Sequence, residues 1–281
     1  MIKLVLTDLD DTLVPLTNHG EAPARTLAAV RTLVDAGLHF GPVTGRTPAG
    51  VKGAFQGDER CFATGAFANG QVVMLDGKVI CQAYADADAL QHVADIMDEE
   101  GTGALALYDL DVDLKAWFVS RDPKRCEAGF GWHLNTFTIE DHVAAPSLKA
   151  NIHVVGDLAY RTRLRDRLRA EVPELDFIFP NIHAPLIDIT PAGHGKGAAV
   201  RILAEALGLG LDEVATFGDS ENDLSMLKAV PNSVVVANAS PEAKAAARWE
   251  IGPSSEEGMA DALLDIAWAA ATGTMPRFMR S

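Results

Sequence analysis

Along the chain, short apolar runs alternate with stretches of helical periodicity. The first run, Leu4-Val5-Leu6, is followed at once by Asp8-Leu9-Asp10-Asp11-Thr12. An aliphatic run bounded by polar residues predicts a buried strand, which puts these acids at the carboxyl end where the strand meets solvent. Residues 23–36, closed by Gly37, carry the spacing of an amphipathic helix, and a second apolar run ends at Val43. Strand, helix and strand in this order predict a βαβ opening. The alternation returns late in the chain, with a helix over about 197–207 ended by Gly208 and strands Val214 to Phe217 and Val234 to Val236. These late elements can rejoin the first sheet.

The middle of the chain has its own alternation. A hairpin (Val72 to Leu75, turn Asp76-Gly77, Val79-Ile80) leads to a helix over 86–99. Strands follow near 104–107, 116–119 and 152–155, with an Arg-rich helix over 160–170. The pattern predicts an α/β protein in two parts: a core with a parallel sheet over 1–83 and 186–281, and an inserted α+β unit over 84–185. The tail, 272–281, lacks periodicity and is expected to fray or to dock on a neighbour.

Composition narrows the classes. The 281 residues contain no apolar stretch long enough to cross a bilayer. Three widely spaced cysteines, Cys61, Cys81 and Cys126, argue against a disulfide framework or a cysteine zinc site and suggest a reducing, cytoplasmic setting. A net charge of −15 opposes non-specific attraction to nucleic acid or anionic membrane. An anionic ligand must therefore be held by local groups.

Four segments carry chemistry, each after a predicted strand. Asp8 and Asp10, at alternate positions, repel one another unless a cation or a shared proton neutralises them. Thr44-Gly45-Arg46 offers a hydroxyl and open backbone N–H groups that suit a phosphate oxygen. Lys196, flanked by Gly195 and Gly197 at a helix start, adds a point charge for an anion. Asp219-Ser220-Glu221-Asn222-Asp223 crowds oxygen ligands of the kind a hard ion such as Mg²⁺ accepts. Taken singly, these are also an acidic turn, a common Thr-Gly turn, a helix start and an N-capping cluster. Taken together along one sheet edge, they provide a nucleophile, an acid/base, an anion clamp and a metal site, the set that phosphoryl transfer requires.

The ordered set DLDDT, VTGRT, glycine-flanked Lys196 and GDSEND resembles the four motifs of the haloacid dehalogenase (HAD) superfamily of phosphotransferases, in its Cof-like branch with an α/β cap. The resemblance extends to Asn69-Gly70 and to Val236 to Ala239 with Glu257-Gly258. It implies a Rossmann-like core and a cap inserted between the second and third motifs. By the same resemblance Asp8 is the nucleophile that forms an aspartyl-phosphate, and Asp10 the acid/base, its carbonyl also a metal ligand. Thr44, Gly45 and Lys196 hold phosphate, and Asp8, Asp10 and Asp219 bind Mg²⁺. Thr12, Asn222 and Asp223 support the site, with the direct ligand among the last two left open. Dehalogenases lack the second acid, so Asp10 favours phosphate esters, and P-type pumps need membrane helices that this chain lacks.

The implied reaction is Mg²⁺-dependent hydrolysis of a small phosphorylated metabolite, a sugar phosphate or a sugar-acid phosphate first, with a phosphorylated cofactor as another class. Arg46, Asn69, Asn181 and His183 are candidates for contacting the substrate. A phosphomutase of the phosphomannomutase type and a non-catalytic phosphometabolite-binding protein are the alternatives. Neither nucleic acid nor membrane is expected as a partner, and monomer and homodimer both remain open.

Overall fold

The computed structural model describes residues 1–127 and 136–280 and divides into two compact units. The first comprises residues 1–46, 51–81 and 196–281, and the second 47–50 and 82–195.

At the centre of the first unit is a five-stranded sheet. Its strands are β1 (Leu4–Thr7), β2 (His39–Pro42), β12 (Val214–Gly218), β13 (Asn232–Val236) and β14 (Trp249–Ile251), in the order β14-β13-β12-β1-β2. All its pairs are parallel. Helix α1 (Ala24–Asp35) makes the predicted crossover between β1 and β2. It packs on α8 (Gly258–Thr272). Helix α5 (Lys196–Ala206) and the short α6 (Leu224–Leu227) share an apolar cluster with Leu4, Leu6 and Val214. Burial on both faces explains why β1 and β12 read as continuous apolar runs rather than as alternation. Helix α7 (Pro241–Ala246) lies between β13 and β14. Among the described residues no helix is long and apolar enough to cross a membrane.

Strands β3 (Gly65–Phe67), β4 (Val72–Leu75) and β5 (Lys78–Gln82) form a small separate sheet. Asp76 (φ 50°) and Gly77 (φ 76°) turn the β4–β5 hairpin, and positive φ at both positions is the type I′ geometry that an Asp-Gly pair favours.

The second unit is built on a six-stranded sheet, in the order β10-β11-β9-β6-β7-β8. The strands are β6 (Gly103–Tyr108), β7 (Lys115–Val119), β8 (Thr136–Glu140), β9 (Ala150–Val154), β10 (Leu175–Ile178) and β11 (Leu186–Pro191). Only β7–β8 is parallel. Helices α2 (Ala87–Glu100) and α4 (Leu158–Glu171) contribute Leu90, Val93, Met97, Leu164 and Leu168 to its core, together with Leu105, Ile152 and Ile187 of the sheet. A short α3 covers Pro123–Glu127.

The expected α/β architecture with an added α+β unit is present, but the boundary at residue 186 moves. Strand β11 pairs with β9 and β10 in the second sheet, so the chain re-enters the first unit only at Lys196. Ile187 and Ile189 face the second unit's core, and that burial decides which sheet the strand joins. The arginines of the Arg-rich helix α4 have two kinds of partner. Arg167 pairs with Glu99, Glu100 and Glu171. Arg161, however, is buried and donates to the Ile182 and Ala184 carbonyls, and Arg169 donates to the Phe177 carbonyl.

Candidate active site

Parallel registry brings the motifs together. Asp8 N donates to the Phe217 carbonyl at 2.9 Å and Val43 N to the Thr7 carbonyl at 2.8 Å, so β1, β2 and β12 end level with one another. The residues that follow, Asp8, Thr44 and Asp219, therefore meet at the carboxyl edge, where strand order reverses around β1 and open α/β sheets bind ligands.

Lys196, the first residue of α5, is fully buried. Its Nζ donates to Asp8 Oδ1 and to Asp223 Oδ1, each at 2.6 Å. The other oxygen of Asp223 accepts from the backbone N–H groups of Asp219 (2.8 Å) and Ser220 (3.1 Å). That tight loop needs Gly218, where a Cβ would lie 2.6 Å from Asp223 Cγ. Gly197 has a similar reason, since a Cβ there would sit 2.4 Å from the Ser225 carbonyl oxygen. It serves close packing of α5 on α6 rather than the approach of a phosphate. Thr12 Oγ1 donates to Asp219 Oδ1 at 2.8 Å, and Asn222 Oδ1 accepts from Ser220 Oγ at 2.9 Å.

Among the described residues, carboxylate oxygens of Asp8, Asp219 and Asp223 lie within 4.8 Å of one another. Burial, with Asp223 and Asp8 nearby, pushes the Asp219 carboxyl up to about 9. Burial raises Asp8 to about 7, with Lys196 opposing and Asp223 and Asp10 adding to the rise. Burial also works against the Lys196 ammonium, but Asp223 and Asp8 outweigh it and hold its pKa above the ordinary value. Two of the three acids bond the Lys196 ammonium, and with all three ionised the site would carry an imbalance of negative charge. These oxygen donors fit a hard divalent cation, which would reverse that imbalance.

Thr44 is buried, its Oγ1 accepting from Arg46 N at 3.2 Å and its carbonyl from Asn69 N at 2.8 Å. Gly45 follows it, half-buried. Asn69 sits in the left-handed region (φ 56°, ψ 29°) and is buried. The guanidinium of Arg46 is engaged with Asp10 and with the Gly20 carbonyl. Asn181 and His183 belong to the second unit, on the turn between β10 and β11. Asn181 Oδ1 accepts from the backbone N–H groups of His183 (2.9 Å) and Ala184 (2.8 Å), so it shapes its own turn, while the His183 ring is exposed.

One clamp had no counterpart in the motif chemistry. Asn238 Nδ2 donates to the Asp11 carbonyl (2.9 Å), Ser254 Oγ to Asp11 Oδ1 (2.9 Å) and Ser254 N to Asn238 Oδ1 (2.8 Å). It holds Asp11 in a left-handed conformation (φ 60°) beside Asp10. The Val236 to Ala239 stretch was a sequence signal for one half of it. Nothing marked Ser254.

A model of the haloacid dehalogenase-like hydrolases matches residues 5–263. The chain belongs to this family. Among curated relatives of this haloacid dehalogenase-like hydrolase, a phosphoglycolate phosphatase of Methanoculleus marisnigri is 28% identical over 267 residues, which cover 94% of this chain and 95% of the relative. The HMP-PP phosphatase of Escherichia coli O157:H7 is 28% identical over 251 residues, 87% and 88% of the two chains. Among solved structures, the HAD subclass IIB sugar phosphatase BT4131 superposes with a TM-score of 0.77 at 20% identity, covering 93% of this chain and 97% of its own. At that identity the likeness is one of fold. Phosphatases of this superfamily generally use a divalent metal.

Proposed function

We propose that this protein is a Mg²⁺-dependent phosphatase that hydrolyses a small phosphorylated metabolite, a sugar phosphate or sugar-acid phosphate first, through a phosphorylated Asp8. The observation that carries this reading is the buried contact between Lys196 and Asp8 at the sheet's carboxyl edge, 2.6 Å long and next to two further acids. An ammonium in that place orients the Asp8 carboxylate for attack and neutralises charge on the phosphoryl oxygens.

Asp8, Asp219 and Asp223 would hold Mg²⁺, with the Asp10 carbonyl as a further oxygen donor. When bound, the ion would supply positive charge that keeps the carboxylates ionised and offsets charge on the transferring group. Thr44 accepts at Oγ1 from Arg46 N, which leaves its hydroxyl proton for a phosphoryl oxygen. Gly45 adds a backbone N–H. Asp10 gives a proton to the leaving oxygen as Asp8 attacks, then takes one from the water that releases phosphate. Thr12 and Asn222 position Asp219 and its loop. Asn69 fixes the Thr44 turn. The Asn181 carboxamide oxygen is committed to its own turn, which leaves it unsuited to a substrate contact.

The test is phosphate release across a panel of sugar phosphates, sugar-acid phosphates and phosphorylated cofactors, with and without Mg²⁺, beside Asp8→Asn. Metal-dependent release that vanishes in Asp8→Asn supports the reading. Release that survives the substitution overturns it.

A further inference from the structure

Arg46 had been expected to touch substrate, but in the structure it grips Asp10. Its Nε donates to Asp10 Oδ2 at 3.0 Å, its Nη2 donates to Oδ1, and its Nη1 donates to the Gly20 carbonyl at 3.2 Å. The pair joins the loop after β1 to the loop after β2, 36 residues apart in sequence. Its backbone N–H, meanwhile, is bonded to Thr44 Oγ1, so both ends of the residue are fixed.

Stability does not account for this arrangement. The Asp10 side chain is 52% exposed, and ion pairs in contact with water contribute little to folding. What the fork offers is geometry. An exposed carboxylate on its own samples several side-chain rotamers, whereas two parallel N–H groups of a planar guanidinium fix both its position and its plane. Lysine, a point charge on a flexible stem, cannot do this.

We propose that Arg46 is a positioning residue that holds the Asp10 carboxyl in place for both proton transfers; this rests on the phosphatase reading above. In the first half-reaction an Asp8 oxygen bonds to phosphorus and the bond from phosphorus to the leaving oxygen breaks. The leaving oxygen takes the proton carried by Asp10. Only one Asp10 oxygen can carry that proton, so the other keeps the contact with Arg46 and the carboxyl stays aimed. In the second half-reaction Asp10, now ionised and held by the full two-point fork, takes the water proton on one oxygen as water oxygen bonds to phosphorus and the Asp8–phosphorus bond breaks, and its other oxygen keeps the contact with Arg46.

The test compares leaving groups. A sugar hydroxyl departs poorly without a proton, whereas p-nitrophenolate departs readily without one. kcat/KM, which covers steps through the first phosphoryl transfer, is measured for a sugar phosphate, for p-nitrophenyl phosphate and for an aryl phosphate series with wild type, Arg46→Ala and Arg46→Lys. Thermal melts check that each variant is folded. General acid catalysis is worth about 10²–10⁴-fold, so both variants are expected to lose about 10–100-fold on the sugar phosphate and under about 3-fold on p-nitrophenyl phosphate. The aryl series should show a steeper dependence on leaving-group pKa in both variants. Equal losses on all esters, a loss confined to KM, or full activity in Arg46→Lys would overturn the proposal. Asp8→Asn runs in parallel, and p-nitrophenyl phosphate turnover that it does not abolish would overturn the phosphatase reading itself. Wild-type protein that turns over none of the esters overturns both.

Discussion

The Lys196 ammonium meets the Asp8 carboxylate at 2.6 Å with both side chains almost closed to solvent. The same ammonium serves Asp223, itself fully buried. Removing one partner of a buried pair leaves the others uncompensated, which costs about 3–5 kcal/mol. Lys196→Met is therefore expected to lower the urea midpoint strongly and to abolish phosphate release. A midpoint within experimental error of wild type would show that the acids find another way to shed their charge.

The acids also make stability depend on pH in the absence of metal. Burial holds Asp219 near 9 and Asp8 near 7, both above the ordinary 3.8 of an unfolded chain, so the folded state retains protons that the unfolded state has lost. This contribution is complete below the unfolded value and is lost as pH rises through 7 and then 9. For protein in excess EDTA, the melting temperature is expected to fall from mildly acidic to alkaline pH, and Asp219→Asn should flatten the fall. Added Mg²⁺ should raise the melting temperature most at alkaline pH, because it binds the ionised folded state. No pH-dependent difference between wild type and Asp219→Asn would contradict this account.

The core was legible in the sequence because its signals are local. Leu4 to Leu6 and Val214 to Phe217 are buried on both faces, so they read as uninterrupted apolar runs, and each is followed by the acids its register delivers to the sheet edge. Strand β11 misled for a tertiary reason. Its apolar alternation fits either sheet, and only pairing with β9 and β10 places it in the second. The role of Arg46 was illegible because its partner, Asp10, lies on another loop. Likewise, the Asp11–Asn238–Ser254 clamp joins residues 243 positions apart, beyond any periodicity.

Cysteine chemistry separates the three thiols. Cys61 and Cys126 are buried, and Cys81 is partly exposed. Burial, with Asp58 nearby, pushes the Cys61 thiol up to about 11. Since the thiolate is the reactive species, native protein treated with iodoacetamide near neutral pH is expected to take up one equivalent quickly, at Cys81. Protein unfolded in urea should take up three. Rapid labelling of Cys61 in the native state, located by peptide mapping, would contradict the burial assigned to it.

Asp265 decides the fate of the tail. It lies on α8, nearly buried, and accepts from the backbone N–H of Arg277, from Arg277 Nε at 2.8 Å and from Phe278 N at 3.3 Å. These bonds fasten the turn Arg277–Met279 to its own unit, with Met279 buried and the Phe278 ring 6.4 Å from that of Phe217. A tail expected to fray or to seek a neighbour instead closes over its own chain, because one buried carboxylate meets two otherwise unsatisfied backbone donors. Asp265→Ala leaves those donors unpaired, at a cost of about 1–3 kcal/mol. For a chain of this size the melting temperature should fall by about 2–4 °C per kcal/mol. Limited trypsinolysis gives a second readout. Cleavage after Arg277 is expected to be slow in wild type and fast in Asp265→Ala, and equally fast cleavage in both would mean that the tail is not held by this carboxylate.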